Sequence, residues 1–207
     1  QRQMCIRDRP KAVYETLQVM NTLQPGLCVL GTRLPGCFNV FEMSVRAVLG
    51  QQITVKAAST LAARLVAVYG TQVQTGIEGL THSFPAPAAI LALGENISEH
   101  LGKLGIISAR ANTIYQLARV LADEKNDFGF CGNPEEEMQK LQAIRGIGSW
   151  TAQYIAMRAM GWPDAFLPTD AGIKKALPDH TPKELQVLSE AWRPWRSYAT
   201  VNLWNTL

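Results

Sequence analysis

The sequence predicts an all-α protein built as two helical lobes with a cleft between them. Three observations carry that prediction. Apolar residues recur at helical spacing almost from end to end, alternating apolar and polar runs are nearly absent, and proline- or glycine-marked breaks separate the helical stretches. A chain of 207 residues can bury a core either as one large domain or as two small lobes. Its 47% hydrophobic and 18% charged content is that of a globular protein and excludes disorder over most of the length.

The elements follow in order. The opening "QRQMCIRDRP" has neither period and no initiator methionine, so it reads as a non-native lead-in, leaving residues 11–207 as the helical domain. A helical stripe covers 11–22. "LCVLGTR" at 27–33 is the best strand candidate. Phe41, Val45, Val48 and Leu49 fall at i, i+4, i+7 and i+8, and a further stripe runs through 54–69. The weakly periodic 70–84 is expected to join the two lobes. Stripes resume at 85–93 and 97–104, then Ile114, Leu117, Ala118 and Leu121 fall at i, i+3, i+4 and i+7. A loop with Gly129 and Gly132 occupies 124–133, and the remaining helices are expected at 134–144, 150–160, 171–177, 182–191 and 195–206. The final "ATVNLWNTL" stops within a helical pattern, as in a piece of a longer chain.

The formal charge of +3 is mildly basic, which permits a nucleic-acid partner without requiring one. Cys5, Cys28, Cys37 and Cys131 include no C-x-x-C pair, so neither a disulfide framework nor a zinc or iron–sulfur site is indicated. Reduced thiols and a cytoplasmic location are the simpler expectation. No apolar run is long enough to span a membrane. His82, His100 and His180 lack metal-ligand spacing. Lys174 and Lys175 read as a solvated helix face or as phosphate contacts, Arg46, Arg64 and Arg110 as ion-pair partners, and Trp192 and Trp195 as core anchors.

Chemistry concentrates in "LQAIRGIGSWTAQYIAMRAMGWPDAFLPTD", residues 141–170. Gly146 and Gly148 allow the chain to reverse between two helices and leave the amides of Gly148, Ser149 and Trp150 uncovered at a helix N-terminus, a place that binds anions. The alternative is a plain helix–helix turn with Ser149 as N-cap. Trp150 and Tyr154 share one helix face, either as a ligand platform or as core. Asp170 in "PTD" is placed at the N-cap of a short helix. It is either only a cap or, facing a cleft, a fixed negative charge suited to a cationic transition state.

This segment resembles the helix-hairpin-helix and Gly-Pro-Asp (HhH-GPD) region of the base-excision DNA glycosylase superfamily and is similar to the bacterial 3-methyladenine DNA glycosylase II family. "LPGCFNVFEMSVRAVLGQQITVKAASTLAARLVAVYG" at 34–70 and "RPWRSYATVNLW" at 193–204 resemble that family's other blocks, so the likeness covers about residues 20–207. It implies a two-lobed HhH-GPD fold, with the helix-hairpin-helix at about 134–160, and it lacks the β-rich N-terminal domain of the best-known member. Asp170 would be the catalytic carboxylate. Trp150, Tyr154 and Trp204 would line the pocket for a flipped base. Gln52, Arg145, Gly146, Gly148, Ser149 and Thr151 would meet DNA, Gln52 by filling the gap the base leaves. Main-chain carbonyls of Gln142, Ile144 and Ile147 would hold a structural Na+ or K+, with no cofactor required. Two departures stand out. Arg145 replaces the usual proline before the first hairpin glycine, and Gln52 is polar where the best-known member has a bulky apolar side chain.

Relatives that also cut the backbone carry a lysine two positions after the second hairpin glycine; here Trp150 stands there, leaving no Schiff-base nucleophile. The resemblance therefore implies a monofunctional enzyme, bacterial and DNA-associated, acting as a monomer on alkylated bases of the 3-methyladenine and 7-methylguanine type in duplex DNA. Cleaving the N-glycosidic bond develops oxocarbenium character, and a cationic alkylated purine leaves without a general acid, so one carboxylate can suffice. Flipping a weakly paired base costs less, which adds selectivity. The alternatives are a non-catalytic helix-hairpin-helix module that only grips DNA phosphates, and a helical protein scaffold.

Overall fold

The computed structural model describes residues 10–122 and 133–207. The expected lead-in, Pro10 apart, and the expected 124–133 loop, Asn133 apart, lie outside the described residues. Eleven α-helices are present among the described residues, with one two-residue pair of strands. The described residues divide into two compact units, one made of 10–36, 133–134 and 153–207, the other of 37–122 and 135–152. No helix among the described residues is long and apolar enough to cross a membrane.

In the first unit, α1 (Pro10–Leu23) lays Val13, Leu17 and Met20 into a core shared with Phe166, Ile173, Leu185, Trp192, Tyr198 and Leu203. The period of three to four puts those three residues on one stripe. Burying each side chain of this size contributes about 1.5–3 kcal/mol. Trp192 is the expected anchor, edge-on to Phe166 at 5.7 Å, while Trp195 is half-buried beside the same core.

The segment 27–33 is not a strand. Side chains, not a neighbouring strand, satisfy its backbone: Asn21 both accepts from Cys28 N–H and donates to Cys28 C=O, at 2.8 Å each, and Asn202 Oδ1 accepts from Val29 N–H at 2.8 Å. Burial pushes the Cys28 thiol up to about 11.

The second unit starts with α2 (Val40–Leu49), capped by Asn39, whose side chain accepts from Glu42 N–H at 2.8 Å. Its predicted stripe, Phe41, Val45, Val48 and Leu49, is buried throughout. Thr54 caps α3 (Val55–Tyr69). The stretch 70–84 is not a connector between units. It lies inside this one and forms an antiparallel ribbon of β1 (Thr71–Gln72) and β2 (His82–Ser83), with Thr71 opposite Ser83. After α4 (Pro87–Leu91) and α5 (Ile97–Gly102) comes α6 (Ser108–Leu121), which packs against α2, α4 and α5. Ala111, Ile114, Leu117 and Ala118 of α6 are fully buried, which makes it the central helix of the unit. Then α7 (Pro134–Gln142) carries Glu135, Glu136 and Glu137 in its first turn and Lys140 in its last, the charge order that complements a helix dipole.

The next helix, α8 (Ser149–Arg158), gives its first four residues to the second unit and the rest to the first. The first unit ends with α9 (Ala171–Ala176), α10 (Pro182–Ser189) and α11 (Arg196–Trp204), and α9 packs on α11. The helix expected over 182–191 ends at Ser189 and continues as a 3-10 turn, Glu190–Trp192. Thr181 and Glu184 form a capping box at the start of α10.

Asp164, buried before α9, accepts from Arg196 Nε at 2.7 Å, Arg196 Nη2 at 2.9 Å and Arg193 Nη1 at 2.7 Å. Ser197 Oγ accepts from Ala165 N–H at 3.0 Å and lies 2.8 Å from Trp162 C=O. These bonds fix the loop leading to Asp170 onto the first turn of α11.

Candidate active site and phosphate-binding hairpin

In the second unit, the two hairpin glycines do different jobs. Gly146 has φ +95°, and a Cβ there would collide with the hydroxyl of Thr113. That hydroxyl, on α6, donates to Arg145 C=O at 2.9 Å. Gly148 is not at positive φ, and a Cβ there would meet nothing within 4 Å. The turn itself therefore does not require a missing side chain at 148.

Ser149 is not the N-cap, because the first helical bond of α8 runs from Ala152 N–H to Gly148 C=O at 3.0 Å. Gly148 holds the cap position. The amides of Gly148 and Ser149, both exposed residues, thus precede the first intrahelical bond, where a helix N-terminus offers donors and partial positive charge. Arg145 is exposed beside them. Thr151 is 2% exposed, and its hydroxyl accepts from Gln51 Nε2 at 2.9 Å, so its side chain is engaged inside the protein.

Gln51 is the fastener that sequence reasoning passed over. Its Nε2 also donates to Gly146 C=O at 3.0 Å, and its own carbonyl accepts from Arg110 Nη2. The turn after α2 is thereby tied to the hairpin. Gln52, next in the chain, is exposed and has φ +56°, the one non-glycine at positive φ among the described residues. Among the described residues, Arg110 and Arg64 bind backbone carbonyls and not carboxylates, while Arg46 pairs with Glu42 at 2.8 Å as expected.

Gln142 is exposed at the end of α7, and the Ile144 and Ile147 side chains are buried. Ile144 C=O accepts from Ile147 N–H at 3.0 Å, which closes a tight turn and uses one of that carbonyl's two lone pairs.

In the first unit, Asp170 caps α9 as expected. Its Oδ1 accepts from Gly172 N–H at 2.9 Å and Ile173 N–H at 3.1 Å. The same oxygen accepts from Trp204 Nε1 at 2.8 Å. The indole is a donor only, so this bond has one polarity and orients the carboxylate. Trp204 can come this close because residue 172 has no side chain: a Cβ there would lie 2.7 Å from Trp204 Cδ1. Tyr154 stands beside the indole, ring centroids 6.2 Å apart and planes tilted by 49°. Arg158, one turn on, donates to Tyr154 Oη at 3.1 Å and to Pro35 C=O at 2.7 Å. Trp150, Tyr154, Trp204 and Asp170 are all half-buried, neither sealed in a core nor standing in bulk solvent.

The structure thus brings Asp170, Tyr154 and Trp204 together in one unit, and Gln52, Arg145, Gly146, Gly148 and Ser149 onto two linked turns in the other. Gln51, Thr113, Arg158 and Gly172 support these groups and carried no motif. The i, i+4 spacing of Tyr154 and Arg158 was the one signal available for them.

Comparison with known proteins identifies the family. Residues 45–196 match the model of the HhH-GPD superfamily base excision DNA repair proteins. The chain is 36% identical over 197 residues to "DNA-3-methyladenine glycosylase 2" of Escherichia coli, covering 95% of this chain and 66% of that protein. It is 42% identical over 182 residues to the "Probable bifunctional transcriptional activator/DNA repair enzyme AlkA" of Mycobacterium tuberculosis, covering 86% of this chain and 35% of that one. The chain therefore spans less than two thirds of the length of these relatives. Among solved structures, the 3-methyladenine DNA-glycosylase of Archaeoglobus fulgidus shares the fold with a TM-score of 0.73 at 23% identity, covering 94% of this chain and 68% of that one. Mag1 of fission yeast, a 3-methyladenine DNA glycosylase solved with abasic DNA, shares it with a TM-score of 0.68 at 20% identity, covering 92% and 90%. The chain belongs to the HhH-GPD superfamily of base excision DNA repair proteins.

Proposed function

We propose that this chain is a monofunctional DNA glycosylase that hydrolyses the N-glycosidic bond of alkylated bases in duplex DNA, acting as a monomer. The observation that carries the reading is Asp170, whose Oδ1 is held by three donors, one of them the Trp204 indole. A mere helix cap would need only the two backbone donors. The names of the relatives support the alkylated purine as substrate.

In this reading the base leaves with the electron pair of its bond to C1′. A cationic alkylated purine becomes neutral as it departs and takes no proton. Asp170 stabilises the positive charge that develops on the sugar. Water then adds to C1′, and its proton passes to the carboxylate. The rings of Trp204 and Tyr154 favour a cationic base by about 0.5–2 kcal/mol per contact. Outside the pocket, the amides of Gly148 and Ser149 hold a phosphate with Arg145 nearby, and Gln52 fills the space of the flipped nucleotide. With Trp150 at the position of the lyase lysine, no Schiff base forms and the strand stays intact.

The carbonyls of Gln142, Ile144 and Ile147 would hold a monovalent cation, and Ile144 C=O, which accepts one bond from Ile147 N–H, keeps its second lone pair for it. Replacing potassium by tetramethylammonium at constant ionic strength then lowers the thermal midpoint, and an unchanged midpoint removes the cation.

The deciding experiment incubates the protein with methylated duplex and identifies released bases by chromatography. Asp170→Asn abolishes release while duplex affinity stays within a few-fold. Full release by the variant would take the carboxylate out of the chemistry. Duplex binding by the unaltered protein with no release would favour the non-catalytic module.

A further inference from the structure

We propose that Arg158 is a positioning residue for the base pocket: its guanidinium fixes the Tyr154 ring, and that ring fixes the Trp204 indole against Asp170. This rests on the reading of Asp170, Tyr154 and Trp204 as the site. Arg158 follows Tyr154 by four residues on α8, so both side chains lie on one helix face. The guanidinium is held at two points, donating from Nε to Pro35 C=O at 2.7 Å and from Nη1 to Tyr154 Oη at 3.1 Å. Its carbon also lies over the Tyr154 ring, 5.6 Å from the centroid. A phenol gripped at both its hydroxyl and its face cannot swing about either side-chain torsion without breaking a contact.

The chain of contacts continues without a gap. Tyr154 meets Trp204 at 6.2 Å, and Trp204 donates to Asp170 at 2.8 Å while pressed on Gly172. Pro35, Arg158, Tyr154, Trp204 and Asp170 all belong to the first unit. A planar fork can span the loop carbonyl and the phenol at once, whereas an ammonium on a flexible stem offers a single point of contact. Arg158 touches no reacting atom in this scheme. It acts through Tyr154.

The test compares unaltered protein with Arg158→Met, Arg158→Lys, Tyr154→Phe and the Arg158→Met/Tyr154→Phe double variant. Single-turnover release of 7-methylguanine from methylated duplex is measured beside affinity for an abasic duplex. Arg158→Met slows release about tenfold, less than the roughly hundredfold that a 1 Å misplacement can cost. Tyr154→Phe causes a similar loss, the double variant is no slower than the slower single one, and Arg158→Lys recovers only part of the rate. Affinity for the abasic duplex, which has no base to seat, stays within twofold.

A second readout does not depend on activity. The Trp204 indole N–H resonance, assigned with Trp204→Phe, shifts in both single variants. Losses that multiply in the double variant, or an indole resonance that does not move, would overturn the proposal. Should Arg158→Met fail to fold, Tyr154→Phe, which removes one oxygen atom, decides by both readouts. If the unaltered protein releases no base, the glycosylase reading fails, while the indole resonance still decides whether Arg158 positions Trp204.

Discussion

Adding one methyl group at Gly172 probes the contact between Trp204 and Asp170 directly. The new Cβ would lie 2.7 Å from Trp204 Cδ1 and 3.0 Å from both Trp204 Nε1 and Asp170 Oδ1. Carbon atoms settle at about 3.5 Å or more, so the indole must withdraw by roughly 0.8 Å. Withdrawal along the bond stretches the 2.8 Å contact between Trp204 and Asp170 to roughly 3.6 Å, past hydrogen-bonding range. A hydrogen bond to a charged acceptor contributes about 1.5–3 kcal/mol. If that contribution is felt in the transition state, release slows roughly ten- to hundredfold. Stability moves less, because alanine is better than glycine in a helix by about 1 kcal/mol and the residue lies within α9 at no positive φ. The assay pairs thermal denaturation with single-turnover release of methylated base. A folded Gly172→Ala protein that releases base at the unaltered rate would refute the argument that the indole must sit there.

Asp164→Asn leaves the buried Arg196 guanidinium with a neutral amide and the exposed Glu190 carboxylate at 3.3 Å, and destabilises the protein by about 3 kcal/mol in urea unfolding. Glu99→Gln, which removes the exposed pair with Lys103, leaves the midpoint where it is. At the hairpin, Gly148→Ala lowers stability by no more than the loss of a cap, about 1 kcal/mol, but weakens duplex binding uniformly across DNA sequences. Unchanged affinity would count against the phosphate grip. Gly146→Ala costs at least about 1–2 kcal/mol of stability from its backbone angle alone, with the Thr113 collision added, and equal midpoints for the two variants would contradict that division.

Local patterns were legible and distant partners were not. The stripe in α2 named its buried residues correctly, and the stripe in α6 did so for Ile114, Leu117 and Ala118, because a period of 3.6 forces one face inward; Leu121, at the end of α6, is only half-buried. Asp170 was readable as a cap because its donors lie two and three residues away. The failure at 27–33 has the opposite cause. Its bonds come from Asn21 and, across 173 residues, from Asn202, which no local alternation encodes. Gly172 drew no notice because its constraint is an indole 32 residues further on. Reading both hairpin glycines as turn-formers overlooked that Gly146 alone has a left-handed angle, and that only Thr113, on another helix, makes its side chain intolerable.

The left-handed backbone at Gln52 carries an energetic meaning of its own. Glycine, or asparagine with its short amide, occupies that region more cheaply than glutamine. The chain therefore accepts a standing penalty of about 1 kcal/mol at an exposed tip where folding alone has a less costly option. What the tip retains for that penalty is reach: two methylenes and an amide projected from a turn that Gln51 and Arg110 lock in place. Glycine at this position would relax the protein and give up that reach.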